Sequence, residues 1–245
     1  MISVDLYLLK PANTDADQLS LLQTLLSPEE RLIWQSIGQL ARRQEYLLSR
    51  GLLRRLLAER LQCSPDELQF CSNPHGKPAL SDGRWQFNLS HSSDWLAIAL
   101  CAAGPLGVDI EMGQRRRQIL PLARRFYAQS EYEWLLALPE AEQESAFYRF
   151  WSRKEAVLKA HGAGIAAGLD KVRFVPEEAW RLDNQLDEQD YRVQDYRVQD
   201  WPIGRGWLSL AAPTLTVNGW LLDGSLNSVP INPMLTHTIF QESAS

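Results

Sequence analysis

The segment LGVDIEM at 106–112 sets the frame from which the rest of the chain can be read. Successive side chains of a strand alternate between its faces, so Val108 and Ile110 point one way while Asp109 and Glu111 point the other. Two carboxylates about 6–7 Å apart on one face repel each other, and a hard divalent cation with oxygen ligands would reverse that repulsion. An exposed strand face that simply carries two acids fits the same four letters equally well. Upstream, WQFNL at 85–89 and WLAIALCA at 95–102 read as strands, preceded by a long helix over 41–61. Downstream, 118–138 is mostly helical, and a further helix over about 142–161 ends where Gly162 suits a left-handed C-cap.

Moving outward, residues 2–9 alternate as a first strand does, and SPEER at 27–31 starts a helix reaching about residue 39. There Ser27 is the N-cap, Pro28 holds the first position and glutamates fill the first turn. SPDEL at 64–68 is a turn or short helix, and strand-like pieces recur near 171–175, 190–200 and 206–211. DYRVQ at 190–194 is repeated at once at 195–199. Five is odd, so in a continuous strand the second copy would show the opposite face to the core; a bulge or hairpin loop is expected to absorb it. From Asn227 onward periodicity is lost and a loose tail is expected.

With 25 Lys plus Arg against 30 Asp plus Glu, 45% hydrophobic residues and no apolar run long enough to span a membrane, the 245 residues describe a folded chain. The length allows one large domain or two modest ones. A net charge of -5 argues against a general nucleic-acid binder. The N-terminus lacks a basic start and a small-residue cleavage site, and Cys63, Cys71 and Cys101 contain no C-x-x-C pair, so a cytoplasmic location is expected. The charge is nevertheless uneven. Residues 31–60 carry seven Arg against Glu45 and Glu59, and 112–126 carry Arg115, Arg116, Arg117, Arg124 and Arg125 against no acid. Such patches suit anionic partners at chosen places, or are solvated helix faces.

Other residues have ambiguous signals singly. On the 41–61 helix, Arg43, Arg50 and Arg54 fall within a narrow arc. Gly76 and Pro78 hold Lys77 in a rigid loop suited to presenting an ammonium to a phosphate, and FNLSHS at 87–92 ends in Ser90, His91 and Ser92, small polar donors. Trp151, Glu155 and Lys159 share a helix stripe, either as a surface ion pair or as a third carboxylate and a phosphate-facing ammonium. A G-x-S-x-G elbow and a P-loop are both missing.

In order and spacing, GKPAL (76–80), FNLSHS (87–92), LGVDIE (106–111), FYxxSEY (126–132) and FWSRKEAVLKAHGAG (150–164) together resemble the Sfp-type 4′-phosphopantetheinyl transferases. The resemblance implies an α/β (α+β) fold of two pseudo-duplicated halves, about 1–105 and 106–226 with 227–245 as a tail, and an active site in the cleft between them. It implies Mg²⁺ held by Asp109, Glu111 and Glu155, and coenzyme A as co-substrate. Arg43, Arg50, Arg54, Lys77, Ser90, His91 and Lys159 would hold the coenzyme, with Glu155 and Lys159 as catalytic residues. The reaction implied is transfer of the 4′-phosphopantetheine arm to a serine of an apo acyl or peptidyl carrier protein, with release of 3′,5′-ADP. An acidic carrier is expected to dock near Arg115, Arg116 and Arg117, with Arg124 a further contributor, on a monomer with no nucleic-acid or membrane partner. A magnesium-dependent hydrolase of coenzyme A or nucleotide pyrophosphates, and a non-catalytic coenzyme A binder, are the alternatives.

Overall fold

The computed structural model describes residues 3–102, 104–113, 118–164, 167–175, 181–184, 186, 196–213 and 216–231, with the backbone alone at 175 and 181–184. Strand β1 (Val4–Leu9) is followed by helices α1 (Ala16–Leu25), α2 (Pro28–Ser36) and α3 (Leu40–Leu61). Then come β2 (Phe70–Ser72), β3 (Pro78–Leu80), β4 (Gln86–Ser92), β5 (Trp95–Cys101) and β6 (Gly107–Met112). Helices α4 (Ile119–Phe126), α5 (Gln129–Ala137) and α6 (Glu140–His161) precede β7 (Val172–Val175), β8 (Arg181–Asn184), β9 (Arg197–Ile203), β10 (Gly206–Ala212), β11 (Val217–Leu222) and β12 (Ser228–Ile231). The mixed α/β class expected from the sequence is what the chain adopts.

Two sheets organise the molecule, one in the order β12-β11-β1-β5-β4 and the other in the order β6-β10-β9. β1 runs parallel to β11 and antiparallel to β5. Every residue of β1 is buried because both of its faces are covered. Tyr7 and Leu9 pack towards α3, while Val4, Leu6 and Leu8 meet Val108, Ile110, Leu208 and Leu210 of the second sheet. An aromatic core of Tyr127, Phe147, Tyr148 and Phe150 then fills the space between the second sheet and α4, α5 and α6. The layers are helix, sheet, sheet, helix, and each sheet carries a 22-residue helix on its outer side, α3 on the first and α6 on the second.

Local signals hold where the chemistry is local. Ser27 accepts from Glu30 N while the Glu30 carboxylate accepts from Ser27 N, a capping box that starts α2. Gly162 closes α6 with φ +86°. Three readings change. A helix over 16–25, α1, precedes the one at Ser27; its Leu22 is drawn into the core against α3. The helical stretch 118–138 is broken at Tyr127–Ala128 into α4 and α5. The tail expected from Asn227 begins instead with strand β12, which pairs antiparallel with β11 and brings Ile231 into the core. Through β11 and β12 the chain returns to the sheet of its first half, across the boundary expected at 105/106. Residues 190–195 of the DYRVQ repeat lie outside the described residues; in the second copy Tyr196 is buried and Arg197–Gln199 open β9. All three cysteines are free.

Candidate active site

β4 and β6 lie side by side at the facing edges of the two sheets without pairing through their backbones. Asn88, Ser90 and Ser92, which share one face of β4, supply the missing acceptors. Val108 N donates to Asn88 Oδ1 (2.8 Å), Ile110 N to Ser90 Oγ (3.2 Å) and Met112 N to Ser92 Oγ (3.1 Å). An open strand edge is thereby closed by side chains in place of a second backbone ladder.

The opposite face of β6 meets α6. A Cβ on Gly107 would lie 2.0 Å from Ala156 O and 2.4 Å from Ala160 N, so only glycine lets the helix come this close. That approach carries Glu155 and Lys159 to the carboxylates of β6. Lys159 Nζ donates to Asp109 Oδ1 (2.6 Å), Ser90 Oγ (3.0 Å) and Val108 O (3.3 Å). Asp109 is buried, and its second oxygen, Oδ2, has no hydrogen-bond partner among the described residues. Burial, and next the charge of Asp109, push the Glu155 carboxyl up to about 7; Lys159 opposes this and Glu111 adds to it.

Among the described residues no three His, Cys, Asp or Glu side chains form a ready-made metal cage. The expected set of Asp109, Glu111 and Glu155 is crowded electrostatically, with the Lys159 ammonium on Asp109 Oδ1. Mg²⁺ nonetheless suits this donor set. It commonly takes one or two carboxylates together with waters and substrate phosphates, and the buried, unpartnered Asp109 Oδ2 is an oxygen that lacks a cation.

A cavity of about 840 Å³ opens between α3, the end of β4 and β6, lined by Arg42, Tyr46, Arg50, His91 and Glu111. His91 Nε2 lies 3.0 Å from Glu45 Oε1, and the Arg50 guanidinium lies 5.8 Å from the Tyr46 ring centroid. Of the three expected α3 arginines only Arg50 lines this cavity. Arg43 sits over the Trp34 ring at 4.2 Å. Arg54 is buried, paired with Glu30 (2.6 Å) and donating to Pro65 O and Leu68 O, so it ties α2 and the 65–68 turn to α3. Arg42, Glu45 and Tyr46 line the cavity as well, although no motif in the sequence singles them out. For Arg42 and Tyr46 the sequence signal is the i, i+4, i+8 stripe they form with Arg50, which lies beside the arc of Arg43, Arg50 and Arg54.

Lys77 is also placed elsewhere than expected. Its ammonium donates to Leu106 O (3.0 Å) and Ala160 O (3.1 Å), and Asn73 Nδ2 donates to Gly162 O (2.9 Å), so the 73–77 loop clamps the end of α6. Burial pushes the Lys77 ammonium down from its ordinary 10.5 to about 8. Between those values the unfolded chain holds more protons than the folded one, so this group's contribution to stability improves as pH rises through the window and its penalty is full below it. Comparing urea unfolding of the wild type and Lys77→Met, the difference should move in favour of the wild type by about 2 kcal/mol between about pH 7.5 and about pH 9.5. An unchanged difference would contradict the clamp. Arg115, Arg116 and Arg117 lie outside the described residues, and Arg124 is in the last turn of α4.

The halves distinguished by the fold are matched separately by two family models. The one described as 4′-phosphopantetheinyl transferase, N-terminal, covers residues 12–103, and the 4′-phosphopantetheinyl transferase superfamily model covers 105–206. The join falls between β5 and β6. A putative 4′-phosphopantetheinyl transferase of Synechocystis sp. is 37% identical over 180 residues, 66% of this chain and 73% of the relative. The 4′-phosphopantetheinyl transferase HetI of Nostoc sp. is 36% identical over 57% of this chain and 61% of its own length; the 4′-phosphopantetheinyl transferase Sfp of Bacillus subtilis is 32% identical over 60% and 65%. Against both of these the chain spans less than two thirds of the relative. Since consecutive matches run from α1 through the carboxylate strand and α6 to β9, and similarity extends over most of one relative, the chain belongs to the 4′-phosphopantetheinyl transferase superfamily, a family of transferases.

Proposed function

We propose that the protein transfers the 4′-phosphopantetheine arm of coenzyme A to a serine hydroxyl of an apo carrier protein. The observation that carries this reading is the pairing of a buried, cation-deficient carboxylate group, Asp109 with Glu155, and a neighbouring cavity lined by Arg42, Arg50 and His91. Coenzyme A has the matching features, a pyrophosphate to share with a cation and a 3′-phosphate for basic side chains.

Asp109, Glu111 and Glu155 would hold Mg²⁺, which when bound offsets charge on the pyrophosphate oxygens. Arg42, Arg50 and His91 bind the coenzyme's phosphates and fix its orientation, with His91 kept in place by Glu45. Lys159 adds a positive charge beside Asp109. The serine oxygen forms a bond to the phosphorus bearing the pantetheine arm as the pyrophosphate P–O bond breaks, and 3′,5′-ADP departs. The serine proton passes to the Glu155 carboxylate. An acidic carrier docks on the arginines of 115–117 and Arg124, where complementary charge raises the on-rate and weakens with salt. A single copy supplies both walls of the cavity and so needs no second chain to complete it; a monomer acting in the cytosol belongs to this reading. No helix among the described residues is long and apolar enough to cross a membrane.

The test is intact-mass analysis of an apo carrier after incubation with the protein, coenzyme A and Mg²⁺, with 3′,5′-ADP followed by chromatography. A phosphopantetheine adduct matched by 3′,5′-ADP is expected, and a chelator should stop both. Cleavage of the coenzyme without adduct would mark a hydrolase, and binding without either product a coenzyme A sensor.

A further inference from the structure

We infer that Ser90 is a positioning residue for Asp109, and that its hydroxyl does not bind the coenzyme. A serine hydroxyl has one proton to donate and two lone pairs to accept with. All three are used within the protein. Ser90 Oγ donates to Asp109 Oδ1 at 2.9 Å, and it accepts from Ile110 N at 3.2 Å and from Lys159 Nζ at 3.0 Å. Nothing is left for a phosphate oxygen. Ser90 is buried and absent from the lining of the cavity, which takes its neighbours His91 and Ser92 instead.

The alternation of β4 separates His91 from Ser90, while Ser92, on Ser90's face but at the end of the strand, still reaches the cavity. His91 points towards α3 and the cavity, whereas Asn88, Ser90 and Ser92 turn towards β6. Of these three, Ser90 is the one that donates to Asp109. It and Lys159 both hold Asp109 Oδ1, so the carboxyl group is fixed about its last torsion with Oδ2 left unpartnered. Lys159 alone would leave the group free to turn, because one ammonium can donate to either carboxylate oxygen in exchange. The second donor, rigid on a strand, selects which oxygen faces outward. Outer hydrogen bonds that orient a ligand commonly change metal affinity by about 10–100-fold. The inference rests on the reading that Asp109 binds a divalent cation.

The test uses the full chain without coenzyme A and Mn²⁺ as a paramagnetic probe, with free ion measured by electron spin resonance. Ser90→Ala should weaken Mn²⁺ binding about 10-fold. Its affinity for coenzyme A, titrated calorimetrically with chelator present, should stay at the wild-type value. Asn88→Ala breaks a bond of the same kind at the same seam and should lower the melting temperature while leaving Mn²⁺ binding within about twofold. Ser90→Cys, near-isosteric with only a weak S–H donor, carries the same readout should the alanine variant not fold. Wild-type Mn²⁺ affinity in the Ser90 variants would overturn the inference, as would weakened chelator-phase binding of coenzyme A or an equal loss in Asn88→Ala. Asp109→Asn separates the two levels. If it binds Mn²⁺ like the wild type, the cation reading fails and the inference with it; if it loses the ion while the Ser90 variants keep it, only the inference fails.

Discussion

Lys154→Met should lose about 3–5 kcal/mol of folding stability, although methionine has similar length and the position is remote from solvent. The Lys154 side chain is fully buried and its ammonium lies 2.7 Å from Glu131 Oε2. It also donates to Leu169 O at 3.0 Å and to Val172 O. Glu131 in turn accepts from Ala128 N at 2.8 Å and Phe174 N at 2.7 Å, so the pair joins α5, α6 and β7. Burial pulls the Lys154 ammonium below its ordinary range, and the Glu131 charge opposes that pull. Removing the ammonium strands a carboxylate in the aromatic core, where the cost of an unpaired charge exceeds what the pair itself contributes. The double variant Glu131→Gln with Lys154→Met should therefore lose clearly less than the sum of the single variants. Urea unfolding of the four proteins is the measurement, and a Lys154→Met loss below about 1 kcal/mol would contradict this account.

Glu155→Gln should lower kcat by about 10²–10⁴-fold while leaving coenzyme A affinity close to that of the wild type. Glutamine keeps the size and one acceptor oxygen but can take no proton and brings no charge to a cation. The basic cavity that would hold the coenzyme is built from α3, the end of β4 and the end of β6 and does not include Glu155. An interaction made only as the serine is deprotonated affects turnover; one made with bound substrate affects affinity. Steady-state transfer to a carrier, with coenzyme A binding measured by calorimetry, separates the two. Unchanged turnover would remove Glu155 from its role.

Where side chains act through the spacing of a single element, the sequence alone is enough. Val108 and Ile110 enter the core between the sheets while Asp109 turns to the other side, as alternation requires. Ser27 and Gly162 cap their helices because the partner groups lie within a few residues. Glu155 and Lys159 share a stripe of α6 by the helical repeat, and both reach β6. The order of short motifs likewise carried family membership, which the comparisons support.

Other features depend on which surface each element meets, and periodicity is silent about that. The α3 sequence offers two neighbouring arcs containing Arg50, and only the position of β4 and β6 brings Arg42 to the cavity and hands Arg54 to Glu30, Pro65 and Leu68. Lys77 in GKP has the chemistry of a phosphate ligand, yet the end of α6, 83 residues away, claims its ammonium. Ser90 could serve a phosphate or a protein network, and the adjacent edge of β6 decides for the network. Sequence determined the residue types, their faces and the family; tertiary structure decided partners, because a hydrogen-bonding group is used by whichever donor or acceptor the packing of remote elements brings within about 3 Å.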